Sequence, residues 1–95
     1  MGTDGPLVAP PSSLSSSQYE VLQAAYHDVA LRVQDGQILA VSSKVGLRGL
    51  EYVQAFRFLH VRDYLKWTGH SVAGGELYQI TEGGRRAFEA AKALR

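Results

Sequence analysis

The chain has 95 residues, a formal net charge of +1, 45% hydrophobic and 20% charged residues, and no cysteine. This length allows one domain with one small core, and the ordinary composition excludes a wholly disordered chain. The charge balance excludes a polybasic or polyacidic protein, and the lack of cysteine excludes disulfides and thiolate metal sites. No apolar run approaches the roughly 20 residues that span a bilayer, and the N-terminus lacks the pattern of a signal peptide. We therefore expect a cytoplasmic domain with no membrane partner.

The first 16 residues differ in composition from the rest of the chain. They contain all three prolines, four serines and a single charged residue. A segment rich in Pro and Ser, without periodic apolar residues, buries too little surface to offset the entropy lost on ordering. We therefore predict a flexible tail over residues 1–16 and a folded domain over residues 17–95.

Apolar residues at three- and four-residue spacing predict a helix over residues 17–34. Ser17 and Glu20 have the spacing of a capping box, and Gly36 suits the left-handed position after a helix. Shorter apolar patterns predict a second helix over residues 37–45 and a third over residues 50–61. The stripe of the first helix comprises Tyr19, Leu22, Ala25, Tyr26, Val29, Ala30 and Val33.

The C-terminal part of the chain has the pattern of a hairpin followed by a helix. Residues 63–68 and 76–80 are predicted strands, joined by a glycine-rich turn. Thr81 is a good N-cap for a last helix over residues 82–94. We interpret Trp67 as packing the hairpin against the helices.

The predicted order of elements is helix, helix, turn, helix, hairpin and helix, with helix-turn-helix spacing over residues 38–57. Ser42 is a small residue four positions before Gly46, and this pair suits two helices that cross steeply at a tight turn. The hairpin after the third helix would form a wing. These observations predict an α+β winged helix-turn-helix fold, with a three-helix core, a two-stranded wing and a C-terminal helix.

One segment resembles a known group of proteins. Tyr78–Ala87, which contains Thr81 and the pair Gly84-Arg85, is similar to the junction between the second wing strand and the next helix in winged helix-turn-helix regulators of the MarR and PadR superfamilies. The resemblance covers residues 17–94. It implies a bacterial transcription regulator that binds double-stranded DNA as a homodimer, with the third helix in the major groove.

Candidate DNA contacts follow from this resemblance and from side-chain chemistry. Arg can bridge guanine or phosphate, Gln can bridge adenine, and Lys can neutralise phosphate. Between residues 44 and 66, five basic and two acidic residues give a local charge of +3 (5 − 2). A cation near a helix N-terminus opposes the helix dipole, so Arg85 is a candidate phosphate contact. The predicted contacts are Lys44, Arg48, Gln54, Arg57, Lys66 and Arg85.

The apolar third helix leaves an alternative open. It contains more large apolar residues than one core stripe can hold, and the predicted wing loop contains no Lys or Arg. The alternative function is a protein-interaction module in a larger assembly. Its contact face would then include Leu50, Val53 and Phe58.

Neither catalysis nor a metal site is predicted. The sequence has no nucleophile-elbow or phosphate-loop motif, and its three histidines lack metal-ligand spacing. We therefore expect a protein that is not an enzyme and has no catalytic residues, cofactor or metal ion.

Overall fold

The computed structural model describes residues 14–95, which form three helices and five strands. The strands make one antiparallel sheet in the order β3-β2-β1-β5-β4. Along the chain the elements are α1 (Ser16–Tyr26), β1 (Leu31–Gln34), β2 (Gln37–Ala40), β3 (Gly46–Arg48), α2 (Leu50–Val61), β4 (Leu65–Val72), β5 (Gly75–Ile80) and α3 (Glu82–Ala93).

The predicted winged helix-turn-helix fold is wrong, because two segments predicted as helices form strands. The predicted first helix over residues 17–34 ends at Tyr26, and its last four residues are β1. The predicted second helix over residues 37–45 is β2 followed by a turn. The described residues therefore contain a five-stranded antiparallel sheet where a three-helix core with a two-stranded wing was expected.

A tight turn at Asp35 and Gly36 explains the difference. Both residues have positive φ, 47° and 77°, as a two-residue type I′ hairpin turn requires. β1 and β2 pair on either side of it, with Leu31 opposite Ala40. The residues of β1 alternate between apolar and polar side chains, which is the period of a strand. Over so short a segment the helical spacing of the apolar residues was coincidental. The Asp35-Gly36 pair was the stronger signal, because it is typical of a hairpin turn.

The remaining predicted elements are confirmed. The predicted third helix is α2, and the predicted hairpin is β4 and β5, whose strands extend into the glycine-rich segment between them. The predicted last helix is α3. The Thr81 side chain caps it by accepting a hydrogen bond from the backbone N–H of Gly84 at 3.0 Å.

The predicted tail over residues 1–16 lies outside the described residues except for its last three. Ser15 caps α1, because its hydroxyl oxygen accepts a hydrogen bond from the Gln18 N–H at 3.2 Å. The Gln18 side chain accepts in return from the Ser15 N–H at 3.0 Å. The capping box of α1 thus begins two residues before the predicted one, which started at Ser17.

The three helices cover one face of the sheet. Five strand residues that point toward the helices are buried in the core: Leu31, Ile38, Ala40, Leu65 and Tyr78. We call the other side of the sheet the open face, because no helix among residues 14–95 packs on it. The largest buried side chains of the core are Val21, Leu22, Leu31, Ile38, Leu59, Leu65 and Phe88.

Asp28 holds the end of α1 against the sheet. Its carboxylate accepts hydrogen bonds from the backbone N–H groups of Val29, Ala30, Ser42 and Ser43, at 2.7 to 3.4 Å. Burial raises the pKa of Asp28, but the four hydrogen bonds outweigh burial and lower it to about 2. The charged carboxylate therefore ties the turn after β2 to the segment between α1 and β1.

Candidate nucleic-acid interface

The centre of the open face is formed by three neighbouring strands. Strand register places Arg32 of β1 between Leu39 of β2 and Leu77 of β5. Residues opposite each other in an antiparallel sheet point to the same side, so the three side chains share the open face. All three are half-buried. The two leucines therefore form an apolar floor on either side of the Arg32 side chain.

Two further cations lie at the edges of the same face. Arg48 of β3 is opposite Gln37, and Lys66 of β4 is opposite Gln79. Both cations are exposed. β3 and β4 are the two outer strands of the sheet, so four strand spacings, or about 19 Å, separate them. The open face thus has one cation at each edge and Arg32 in the middle.

Within residues 14–95, no strand position on the open face carries an acidic side chain. Glu76 is opposite Val33 and so points to the helix-covered side. There its carboxylate accepts a hydrogen bond from the Tyr78 hydroxyl at 3.2 Å, and burial together with this bond raises the pKa of Tyr78. Asp35 borders the open face only at the tip of the β1–β2 hairpin. The strands therefore present three cations with no carboxylate between them.

A cavity of about 550 Å³ lies at the edge of the open face, beside β4. The interpretation of Trp67 as packing the hairpin against the helices is wrong, because the residue is 50% exposed. Strand register places it opposite Tyr78, on the helix-covered side of the sheet. The side-chain amide of Gln79 donates a hydrogen bond to the carbonyl oxygen of Val29 at 3.2 Å and so braces one wall. The cavity is lined by Val29, Ala30, Val41, Lys66, Trp67, Thr68, His70, Leu77 and Gln79.

A β-bulge begins directly after Trp67. Trp67 is opposite Tyr78 and Ser71 is opposite Glu76, so four residue steps on β4 match two on β5. Bulges bend a strand and redirect its side chains. The indole Nε1 of Trp67 donates a hydrogen bond to the carbonyl oxygen of His70 within the bulge, at 3.3 Å. The bulge therefore sets the orientation of the indole.

The six residues predicted to contact DNA do not share one surface. Arg48 and Lys66 lie on the open face. Gln54 and Arg57 are exposed on α2, on the helix-covered side of the molecule. Lys44 lies in the turn between β2 and β3 with a φ of 66°, where a helix was predicted. Strand β3 comes directly before α2, so α2 is not the second helix of a helix-turn-helix motif.

Arg85 borders the open face. It lines a smaller cavity together with Val29 and Gln79, and both of these also line the cavity of Trp67. Its guanidinium lies 5.6 Å from the centroid of the Tyr26 ring. Three of the six predicted contacts, Arg48, Lys66 and Arg85, therefore lie on or beside the open face.

The central cation of the open face was missed by the sequence analysis. Arg32 was assigned to the first helix, as was Gln34. The alternation from Leu31 to Gln34, directly before Asp35 and Gly36, was the signal that could have identified both as residues of one strand face.

The apolar face predicted on α2 is only partly exposed. Leu50 is 70% exposed, whereas Val53 and Phe58 are half-buried. The guanidinium of Arg62 lies 4.3 Å from the centroid of the Phe58 ring and covers it. Val61, at the other end of the helix, is 84% exposed. The exposed apolar surface of α2 is thus concentrated at its two ends.

Two kinds of feature are absent from the described residues. Among residues 14–95, no helix has the length and apolar character needed to cross a membrane. In the same part of the chain, no group of three or more His, Asp or Glu side chains is arranged to hold a metal ion.

The junction that resembles MarR and PadR regulators forms locally. β5 ends at Ile80, and Thr81 caps α3. The predicted fold around this junction is absent, so assignment of the chain to those superfamilies stays a prediction from one motif. No family model matches the chain, and neither the curated proteins nor the solved structures compared with it include a significant match.

Proposed function

We propose that this chain binds nucleic acid through the open face of its sheet. The observation that carries the proposal is the placement of Arg32, Arg48 and Lys66 across about 19 Å of one sheet face, with no acidic strand residue among them in the described part of the chain. Lys and Arg that neutralise phosphates release condensed counterions, and this release supplies most of the non-specific affinity for nucleic acid.

The polar side chains between these cations suit the same partner. Gln37 and Gln79 lie opposite Arg48 and Lys66 on the open face. Side-chain amides donate hydrogen bonds to phosphate oxygens and also bind base edges. All these residues project from paired strands, so the cations are spaced by the sheet itself. Double-stranded DNA, the partner expected from the sequence, is one of the two forms of nucleic acid to be tested.

Fluorescence anisotropy with labelled DNA, measured over a range of KCl concentrations, tests the proposal. The Arg48→Gln, Lys66→Gln double variant removes two open-face cations. We expect its log affinity to fall less steeply with log salt, by about 1.4 to 1.8 in slope for two lost phosphate contacts. Arg86→Gln with Lys92→Gln removes the same charge from exposed positions on α3 and is the matched control. Absence of binding to duplex and single strand at low salt refutes the proposal.

Variants of α2 separate the open face from the surface that the sequence predicted. Gln54 and Arg57 are exposed on α2 and lie away from the open face. We expect Gln54→Ala with Arg57→Gln to leave the affinity within about two-fold of wild type, since surface changes away from an interface have small effects. A larger loss than that of the open-face variant would place the interface on α2.

The exposed ends of α2 favour a second candidate function, the docking of a protein partner. Leu50 and Val61 are 70% and 84% exposed. Large exposed apolar patches mark interaction surfaces, whereas single apolar residues are common on monomers. Sedimentation velocity tests a homodimer, the partner expected from the sequence. A 10.4 kDa species at all concentrations, for wild type and for Leu50→Gln with Val61→Gln, would contradict a homodimer on this surface.

A further inference from the structure

We infer that a small polar cavity on the open face holds the edge of one unpaired guanine, with Arg32 as the residue that selects it. The inference rests on the proposed function and names the base that the open face prefers. Three observations carry it. Strand register brings Arg32, Gln34 and Gln37 to one side of the sheet, these residues line the cavity, and their side chains have no hydrogen-bond partner in the described part of the chain.

The cavity lies on the open face beside the turn between β1 and β2. Arg32 is opposite Leu39 and Gln34 is opposite Gln37, so all four side chains point to the open face. The same four residues, together with Asp35 of the turn, line a cavity of about 220 Å³. Pockets that take drug-sized ligands have roughly 300 to 1,000 Å³, so this smaller cavity suits a group no larger than a base.

Two glycines keep the cavity open. A Cβ atom at Gly75 would lie 2.6 Å from Cγ of Arg32, and one at Gly74 would lie 2.9 Å from Nε2 of Gln34. The side chains of Arg32 and Gln34 therefore occupy space at the start of β5 that larger residues would fill. They lean away from β2, and the cavity is the gap between them and the residues of β2 that line it.

The polar side chains around the cavity are available to a ligand. Within residues 14–95, no hydrogen bond or ion pair engages the side chains of Arg32, Gln34 or Gln37. Arg32 is also half-buried, with Leu39 and Leu77 on either side of it. The two leucines restrict its aliphatic part, so less side-chain entropy is lost when a ligand binds.

Guanine is the base whose edges fit these groups. A guanidinium only donates hydrogen bonds, and its planar fork pairs with two neighbouring acceptors such as O6 and N7 of guanine. Adenine has an amino group in place of O6, so it would present a donor to a donor. The amide oxygens of Gln34 and Gln37 can accept from the N–H groups of guanine. In a duplex those N–H groups are paired with cytosine, so the guanine must be unpaired.

Asp35 makes the cavity more suitable for a base than for a phosphate. It lines the cavity at the turn, where its negative charge repels a phosphate. A neutral base is not repelled, and its N–H groups are donors that suit a carboxylate. The phosphates are expected at Arg48 and Lys66, the exposed cations at the two edges of the open face.

Fluorescence anisotropy with single strands tests the inference. The probes are oligothymidylate and the same strand with one central thymidine replaced by deoxyguanosine, deoxyadenosine or deoxycytidine. We expect the full chain to bind the strand with deoxyguanosine at least about five-fold more tightly than the other three, the lower end of what a bidentate base contact contributes. Annealed to its complement, this strand is expected to bind no more tightly than annealed oligothymidylate, because the guanine is then paired.

Arg32→Lys separates selection of the base from charge. Lysine keeps the positive charge but lacks the planar fork. We expect Arg32→Lys to bind all four single strands within about two-fold of one another, with the salt slope of the wild type. Arg86→Lys makes the same change at an exposed position of α3 and is the matched control, which keeps the preference for guanine.

The outcomes separate this inference from the proposed function. If all four strands bind equally, or if adenine or cytosine is preferred, the inference is overturned and binding through phosphates stands. A preference for guanine that survives in Arg32→Lys, or in the annealed strand, also overturns it. If no strand binds at low salt, both are overturned. Should Arg32→Lys unfold, as judged by circular dichroism, Gln37→Leu takes its place, and an unchanged preference for guanine in that variant contradicts the inference.

Discussion

The side chain of Arg32 lies directly over Gly75 on the open face. A Cβ atom at Gly75 would be 2.6 Å from Cγ of Arg32 and 3.2 Å from Cβ of Gln34. Gly75 is buried beneath these two side chains, although it belongs to the solvent-facing side of the sheet. The missing side chain at Gly75 therefore allows the central cation of the face to lie across β5, and it links this glycine to the proposed function.

We expect Gly75→Ala to displace Arg32, and thereby to lower both stability and nucleic-acid affinity. The added methyl group would overpack the face, which typically costs about 1–3 kcal/mol. Gly46→Ala is the control, because Gly46 is also a strand residue of the open face and its Cβ would meet only Leu39 Cδ1, at 4.0 Å. Urea denaturation and anisotropy measure the two effects. Equal losses in the two variants would contradict the contact between Arg32 and Gly75.

Two adjacent glycines of α3 are expected to respond in opposite ways to alanine. A Cβ at Gly84 would collide with the carbonyl oxygen of Tyr64 and lie 2.7 Å from Cγ1 of Ile80, so we expect Gly84→Ala to destabilise the fold by about 2–3 kcal/mol. At Gly83 the nearest atom, Thr81 Oγ1, is 3.8 Å away. Gly83→Ala gains helix propensity, up to about 1 kcal/mol.

Thermal unfolding compares the two variants. For a domain of this size, 1 kcal/mol corresponds to a change in Tm of roughly 4–8 °C. The Tm of Gly84→Ala is expected to fall well below that of the wild type, and the Tm of Gly83→Ala to match or exceed it. A wild-type Tm in Gly84→Ala would mean that α3 does not approach Tyr64 and Ile80 this closely.

Stability is expected to fall in acid as Asp28 is protonated. Its folded pKa of about 2 is below the usual 3.8, so the charged form is favoured by folding. This contribution is complete above about pH 4 and is lost as the pH falls through 3.8 toward 2. The shift corresponds to roughly 1–2 kcal/mol after an allowance for solvent screening.

Urea denaturation from pH 7 to pH 2 measures this effect. Asp28→Asn is expected to be less stable than wild type at pH 7 and to lose less stability on acidification. Asp35→Asn removes a carboxylate from a turn position with a φ of 47°, which Asn tolerates, and serves as the control. Identical pH profiles for wild type and Asp28→Asn would show that the carboxylate does not hold the four N–H groups.

The turn between β1 and β2 is expected to depend on glycine at position 36. Nothing lies within 4 Å of a Cβ at Gly36, so a cost of Gly36→Ala would come from its φ of 77° alone. That backbone conformation costs an L-residue about 1–2 kcal/mol. Urea denaturation measures the loss. An increase in stability, as in a helical segment where alanine is favoured over glycine, would contradict the hairpin.

The elements that could be predicted from the sequence are those with strong local signals. α2 has a long apolar pattern, α3 has the Thr81 cap and an apolar stripe, and β4 and β5 flank a glycine-rich segment. Each signal depends on neighbouring residues only, so no other part of the chain was needed to interpret it. Arg48 and Lys66 were predicted as DNA contacts from the resemblance and from side-chain chemistry, and this role stays a prediction.

The sheet and its open face were decided by tertiary structure. The apolar residues from Val29 to Val33 fit both a helical and a strand period, and pairing of β1 with β2 and β5 selected the strand. The same pairing joined Arg32, Arg48 and Lys66, whose proximity depends on strands distant in sequence. Local propensity cannot encode which strands become neighbours, because that choice is made by burial of one sheet face against three helices.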